Sequence, residues 1–323
     1  MSDENQHWVP KLLLKNFADE DGRVYFLDIH SDEVGKRPPR LLASEPGFND
    51  FEINGKPISF EGLFEKIETR VAPVLKRIIA TRSLAGLSPR ERSHVARFVA
   101  VQSFRTKAFF EGLTNKPLRA DFGKTLKMMW FSAAVTAKQI AERYWALMVI
   151  EGAEAFYLGD HPVVLQRTHD MRDGSNLGFD VEGVEAFVPL SPKCALWMPC
   201  PATGQDIIAR YLAAIRLHRT IRRTVLAGVS GGASELHVAQ TVIRGTHHIY
   251  KAFTEGAPIT AEPANVENLN YLQCSWAHSK VFSHRKDFAF ARYVFIRTPQ
   301  YRDLVRTSLL EKGRILVPDN QDF

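Results

Sequence analysis

The sequence predicts an α+β protein in which a helical N-terminal half packs on a mostly antiparallel mixed sheet, with further helices in the C-terminal half. Amphipathic helical patterns dominate residues 1–144, whereas residues 145–323 begin with short β-like runs and then become helical again. Helices and strands segregated in this way are typical of α+β folds. Since 45% of the 323 residues are hydrophobic, we predict one large domain over residues 1–323.

In the first half, each predicted helix has apolar residues at three- and four-residue spacing. They run from Pro10 to about Phe17, from Ser59 to about Thr81, from Ser88 to about Phe110 and from Leu118 to Tyr144. The segment Ser88-Pro89-Arg90-Glu91 has the residues of a capping box. Alternation and β-forming residues predict a strand over Arg23–Ile29, and two prolines predict a loop over 35–40.

In the second half, short runs of β-forming residues are separated by glycine and proline. The predicted strands are 145–150, 155–158, 163–166, 186–190 and 195–198, followed by a final strand over 292–297. Helical spacing returns over 206–226, about 234–253 and 264–282.

Several functional classes lack their sequence signals. The polar N-terminus has no signal-peptide pattern, and no apolar run approaches the roughly 18 residues of a membrane helix, so we expect a cytoplasmic protein without a membrane partner. Three cysteines without a C-x-x-C pair predict free thiols. Gly228–Gly232 lacks the lysine of a phosphate-binding loop and is interpreted as a helix stop. We therefore predict no nucleotide or other cofactor and no metal.

Clustered positive charge favours a nucleic-acid partner over the alternative that mild basicity only aids solubility. The formal net charge is +6, and no acidic residue occurs from Ile207 to Ser234. Within that stretch Arg216, Arg219 and Arg223 follow the spacing of one helix face. A second basic region, 280–314, is interleaved with aromatic residues that either stack on bases or belong to the core.

Two short motifs contain the candidate catalytic residues. Gln6-His7-x-x-Pro10 precedes the first helix, and Gly159-Asp160-His161-Pro162 follows a predicted strand. Side chains at strand ends face ligands while the sheet holds them rigid, which favours Asp160, His161 and His7 as catalytic candidates. The structural alternatives are that Asp160 bonds backbone amides in a turn and that His7 is a packing residue.

A third group lies on the helix that begins at Ser88. Gln102 and Arg105 follow a stripe formed by His94, Phe98 and Val101. A buried Arg105 requires a carboxylate partner, for which Glu68 on the preceding helix is the candidate. This pair is either purely structural or part of a site that binds a phosphate backbone.

The ordered set of motifs resembles a bacterial family of unknown function, domain of unknown function 4238. The resemblance rests on Gln6-His7-x-x-Pro10 with Asn16-Phe17, Gln102 with Arg105-Thr106, the Asp160-x-Pro162 turn, and Val281-Phe282-Ser283. It covers residues 5 to about 285, and it departs at Gly159 and His161, where the family more often has serine and asparagine.

The resemblance implies a role in anti-phage defence and a similarity to a phage-restricting DNA glycosylase that acts on glucosylated hydroxymethylcytosine. The expected enzyme is a hydrolase that extrudes a modified base of phage DNA and leaves an abasic site. Asp160 would stabilise the sugar cation, and His7 or His161 would bond the leaving base or a flanking phosphate. The expected substrate-binding residues are Gln6, Asn16, Gln102, Arg105, Arg216, Arg219 and Arg223.

Two other functions stay open at this point. A metal-dependent defence nuclease needs acids that converge on a cation, and Asp50, Glu68 and Asp160 are the candidates. A non-catalytic nucleic-acid or partner-binding protein would depend on Arg216 and Arg219 rather than on Asp160. The sequence does not indicate an oligomeric state.

Overall fold

The computed structural model of the protein describes residues 4–53, 56–109, 122–167, 177–226 and 232–297. The helices are α1 (Lys11–Asn16), α2 (Glu61–Thr81), α3 (Pro89–Phe104), α4 (Phe122–Glu142), α5 (Pro201–Leu226), α6 (Ala233–Glu255), α7 (Pro263–Trp276) and α8 (Ala289–Arg297). A 3-10 turn covers Pro39–Leu41. No helix in these ranges is long and apolar enough to cross a membrane.

The strands form two main sheets and two short pairs. They are β1 (Asn5–His7), β2 (Val24–Asp28), β3 (Val34–Arg37), β4 (Ser44–Pro46), β5 (Asp50–Ile53), β6 (Lys56–Ser59), β7 (Ala146–Val149), β8 (Leu158–Gly159), β9 (Val164–Arg167), β10 (Val184–Ser191), β11 (Cys194–Met198), β12 (Pro258–Thr260) and β13 (Lys280–Ser283). One sheet has the order β12-β7-β11-β10-β9, and the other has the order β3-β2-β13-β8.

Both sheets confirm the predicted α+β class. All neighbours in the five-stranded sheet are antiparallel except β12 and β7, and all neighbours in the four-stranded sheet are antiparallel. One hydrophobic core joins α1, α2 and α3 to the buried face of the five-stranded sheet. The helical N-terminal half therefore packs on a mixed sheet, as the sequence predicts.

Local sequence explains the helices of that half. In α2 the residues at three- and four-residue spacing, including Phe64, Ile67, Val71 and Ile78, are buried. At the start of α3, the Ser88 side chain accepts from the backbone N–H of Glu91, and the Glu91 carboxylate accepts from the backbone of Ser88. This is the predicted capping box.

Five local predictions were wrong. The predicted strand over 155–158 overlaps β8 at Leu158 alone. The predicted final strand over 292–297 is part of α8, where Ala291, Val294 and Phe295 are buried at helical spacing. The helix predicted to reach Phe282 ends at Trp276, and β13 follows. The predicted loop over 35–40 contains part of β3 and a 3-10 turn, and α3 ends at Phe104 rather than near Phe110.

Other predictions concern residues that are only partly described. Residues 228–231 of the interpreted helix stop and residues 298–314 of the second basic region lie outside the described residues. Within the described part of that basic region, Phe282, Phe288 and Phe295 are buried and belong to the core, whereas Tyr293 is exposed. The three cysteines are free and buried, as predicted.

Candidate functional site

Asp160 follows β8 directly and anchors a neighbouring loop. Its backbone N–H donates to the carbonyl of Lys280 at 3.0 Å, which extends the pairing of β8 with β13. Its carboxylate accepts from the backbone N–H groups of His278 (2.7 Å), Ser279 (2.8 Å) and Lys280 (3.2 Å), and from the Ser279 hydroxyl (2.7 Å). The carboxylate therefore stabilises the connection between α7 and β13.

This environment corrects the expectation that Asp160 faces a ligand. The residue is 1% exposed, and its four donors match the roughly four acceptor sites of an ionised carboxylate. Buried carboxylates are stable only when paired or fully hydrogen-bonded, and backbone amides fulfil that condition here. Asp160 therefore bonds backbone amides, as the structural alternative expects. The amides belong to a loop more than 100 residues along the chain, however, and not to the turn that contains Asp160.

Gly159 allows β8 to lie against α7. A Cβ atom at this position would be 2.7 Å from the backbone oxygen of Gln273, which is closer than side chains tolerate. The Gly159 N–H donates to the Gln273 side-chain oxygen at 2.7 Å, and the Gln273 amide donates to the Pro162 carbonyl at 3.1 Å. Gln273 therefore holds the Asp160 turn against α7, although no sequence motif marked it.

The His161 side chain contacts different residues from those that Asp160 contacts. Its Nδ1 lies 2.9 Å from the carbonyl of Val163, so Nδ1 is the protonated nitrogen and Nε2 is an acceptor. The ring lies 5.1 Å from that of Trp276. Burial lowers the pKa of His161 to about 4, and the imidazole is therefore neutral at physiological pH.

His161 and Trp276 line a cavity of about 510 Å³, here called the aromatic cavity. Five aromatic rings line it, and they belong to Phe104 of α3, Phe109 of the helical segment that begins at Lys107, Phe131 of α4, Phe179 before β10, and Trp276 at the end of α7. Its polar side chains are Ser103, Ser132, Thr136, Gln139, His161 and Asp180. Such a mixture of apolar walls and few polar groups is typical of small-molecule sites, which span roughly 300–1,000 Å³.

A buried arginine holds one wall of the aromatic cavity. Arg143, which follows α4, is 1% exposed. Its guanidinium donates to the carbonyls of Val184 (2.7 Å) and Met198 (3.0 Å) in the sheet and to the carbonyl of Phe179 (2.5 Å) in the wall. This guanidinium therefore ties the Phe179 segment to β10 and β11, a role that the sequence did not indicate.

His7, the third catalytic candidate, is a buried residue of β1. It is 4% exposed, and its Nε2 is 3.4 Å from the carbonyl of Pro39. Burial, followed by the positive charge of Lys11, lowers the pKa of His7 to about 4. The packing alternative therefore describes His7 better than a catalytic role does.

The predicted substrate-binding residues of the N-terminal half form ion pairs or hydrogen bonds with other residues of the protein. Arg105 is 3% exposed and lies 2.6 Å from the Glu68 carboxylate, which confirms the predicted pair. The other side chains make buried or half-buried hydrogen bonds, from Gln102 to the carbonyl of Trp8, from Asn16 to the carbonyl of Leu190, and from Gln6 to the Asp50 carboxylate.

His7 and Asp160 reach one cavity only through their neighbours. Trp8, next to His7, and Ser279 and Lys280, held by Asp160, line a cavity of about 370 Å³, here called the charged cavity. Its charged side chains are Arg37, Lys107 and Lys280 and Asp28, Glu33 and Glu45. Because these charges balance, positive potential is not concentrated there.

The arginine face lies on a helical hairpin. Helices α5 and α6 pack on each other, with the Tyr211 hydroxyl 2.9 Å from Nδ1 of His247. Arg216, Arg219 and Arg223 are exposed on α5, as their spacing predicts. Helix α5 contributes no residue to either cavity in the part of the chain that the structure describes.

The carboxylates of the nuclease alternative have separate partners. Asp50 bonds Gln6, Glu68 pairs with Arg105, and Asp160 bonds the loop 278–280. Across the described ranges, no group of three or more His, Cys, Asp or Glu side chains has an arrangement that could hold a metal ion.

Comparison with known proteins gives a family. The sequence model of a family described as "Protein of unknown function (DUF4238)" matches residues 5–287. No curated protein and no solved structure matches the chain. The matched span includes β1 with His7, the Asp160 turn, α7 and β13. The chain therefore belongs to the DUF4238 family, which confirms the resemblance read from its motifs.

Proposed function

We propose that the protein is a DNA glycosylase of anti-phage defence, and that it holds an extruded, modified base in the aromatic cavity. The observation that supports this proposal is the neutral His161 in a cavity whose walls include five aromatic rings. Enzymes that act on a base in DNA take it out of the stack and hold it between aromatic or apolar side chains.

The cavity suits a planar heterocycle. Its volume of about 510 Å³ is within the range typical of ligand sites, and stacking of a base on an aromatic side chain contributes roughly 1–3 kcal/mol. Because Nδ1 of His161 donates to Val163, Nε2 accepts a hydrogen bond from the ligand. An exocyclic amine such as that of cytosine is a donor of the required kind.

The proposed reaction is hydrolysis of the N-glycosidic bond. The bond from the sugar carbon to the base nitrogen breaks, water supplies the new carbon–oxygen bond, and a proton from that water goes to the departing base. The transition state resembles an oxocarbenium ion, which a carboxylate stabilises. Because Asp160 has its acceptor sites occupied, we assign this role to Asp180, which lines the cavity and is exposed.

The test is incubation of the protein with DNA that contains unmodified, hydroxymethylated or glucosylated hydroxymethylated cytosine. We expect abasic sites on one or both modified DNAs, scored as strand breaks after mild alkali. Asp180→Asn should reduce the rate by at least about 100-fold, since a carboxylate that stabilises the transition state has been removed. The matched control Asp206→Asn, which alters an exposed carboxylate of α5, should retain the wild-type rate. Absence of abasic sites on all three DNAs would reject the proposal.

A non-catalytic DNA-binding protein is the second candidate. The exposed Arg216, Arg219 and Arg223 favour it, because α5 has no acidic residue after Asp206. This candidate requires that DNA binds without abasic sites and that Asp180→Asn leaves affinity unchanged. The same incubation, followed by a binding assay on each DNA, therefore separates the two functions.

A further inference from the structure

A small basic cavity lies at the seam between α2 and α3, and it shares no lining residue with the aromatic cavity or the charged cavity. It has a volume of about 150 Å³ and is lined by Ile67 and Arg70 of α2 and by Ser93, His94 and Arg97 of α3. This volume is below the roughly 300–1,000 Å³ typical of organic ligands. The seam therefore suits a single small group rather than a base.

The charges at this seam are not neutralised by the protein. No acidic residue is among the described residues that line the cavity. The nearby carboxylates of Glu68 and Glu91 pair with Arg105 and Arg77 instead. Across residues 4–297 as described, Arg70 and Arg97 have no ion-pair or hydrogen-bond partner. Arg70, Ser93 and Arg97 are exposed and His94 is half-buried, so these groups face solvent and are accessible to an anion.

The chemistry of the lining residues selects the anion. Guanidinium groups bind tetrahedral oxyanions through paired N–H donors, and the Ser93 hydroxyl and the His94 ring add further donors. The described residues that line the cavity include no carboxylate, so none of them would repel a dianion. We propose that this cavity, here called the seam site, binds a phosphate group.

The position of the seam site along α3 deepens the proposed function. Ser93 and Phe104 are eleven residues apart, which is close to three turns and about 16 Å of helix. They therefore lie on the same face of α3, with the seam site near one end and the aromatic cavity at the other. In this respect the inference rests on the proposed function, because a backbone phosphate of DNA would then bind at a fixed distance from the extruded base.

The first experiment uses inorganic phosphate without DNA. Arg70→Gln with Arg97→Gln forms the test variant, and Lys76→Gln with Arg90→Gln forms the control, since both remove one exposed charge from each helix. The Tm of each protein is measured in about 20 mM phosphate and in chloride at equal ionic strength. We expect phosphate to raise the Tm of the wild type and of the control more than that of the test variant. The control corrects for the general stabilising effect of phosphate. An equal rise in all three proteins would overturn the proposal.

The second experiment identifies the source of the phosphate. If it belongs to the DNA backbone, the test variant should bind a duplex about fivefold more weakly than the control, and the slope of log K against log salt should fall by about 0.9. An unchanged slope with a retained difference in Tm would support a free phosphate or a small phosphate ester at the same site. Neither result depends on abasic sites, so failure of the glycosylase proposal is distinguishable from failure of the seam site.

Discussion

Asp160 and His161 are adjacent in sequence, but their side chains serve opposite sides of one turn. The Asp160 carboxylate accepts hydrogen bonds from residues 278–280, whereas the His161 ring lies against Trp276 and lines the aromatic cavity. One short motif therefore supplies both an anchor for the neighbouring loop and a group that lines a cavity.

Replacing Asp160 tests its role as an anchor. Asp160→Asn keeps the size of the side chain but places an amide donor against backbone N–H donors, and it removes charge-assisted bonds worth roughly 1.5–3 kcal/mol each. We expect the free energy of unfolding to fall by about 2–4 kcal/mol in urea denaturation. Asp287→Asn, in which the altered carboxylate caps α8 at the surface, should change it by about 0.5 kcal/mol or less.

Activity of the same variant separates anchoring from catalysis. Assayed well below its Tm, Asp160→Asn should retain most of the glycosylase or DNA-binding activity of the wild type. A variant of wild-type stability without activity would instead return the catalytic role to Asp160.

The buried histidines predict how stability depends on pH. The pKa of His161 is about 4 in the folded protein and 6.5 as its ordinary value. As pH falls below about 6.5 the unfolded chain takes up the proton first, so the contribution of neutral His161 is complete above that pH and is lost towards pH 4. His7 shifts in the same direction.

We expect the difference in unfolding free energy between the wild type and His161→Gln to shrink by up to about 3 kcal/mol from pH 7 to pH 4, at 1.36 kcal/mol per unit. Urea denaturation at intervals across this range measures it. Parallel pH profiles for the two proteins would show that His161 is not buried as a neutral ring.

At the scale of elements, the sequence predicted those whose patterns are local. The helices with regular apolar spacing and the Ser88 capping box need only neighbouring residues. Helix α8 was taken for a strand because Tyr293, Val294, Phe295 and Ile296 favour β structure, although burial at three- and four-residue spacing decides for a helix.

Elements made by distant pairing could not be predicted from local pattern. Strand β13 lies between β2 and β8, which are more than 100 residues away in sequence. The donors that surround Asp160 come from residues 278–280, which end at the first residue of this strand, so their contact with Asp160 depends on tertiary pairing. The pairing of Arg105 with Glu68 was predictable because α2 and α3 are consecutive helices.

The exposed arginine face of α5 gives a prediction for this element. Arg216, Arg219 and Arg223 replaced together by Gln should reduce the slope of log K against log salt by about 2–3 for duplex DNA, since each phosphate contact contributes roughly 0.9. Lys15, Lys76 and Arg90, which are exposed elsewhere, provide a control triple with the same change in net charge. Equal losses in both triples would mean that α5 contributes only through the overall field of the protein.

At the scale of the whole molecule, one core joins segments that are distant in sequence. A continuous hydrophobic cluster contains Leu13 and Phe17 of the N-terminal segment, the buried faces of α2 and α3, and strands of both sheets. The described elements therefore pack as the predicted α+β architecture, and the extent of the domain over 1–323 stays a prediction.

The connection from Trp276 to Lys280 belongs to two cavities at once. Trp276 lines the aromatic cavity, and Ser279 and Lys280 line the charged cavity. These five residues therefore contribute to the boundary of both cavities, and the Asp160 carboxylate fixes the stretch between them through its bonds to the backbone N–H groups of residues 278–280.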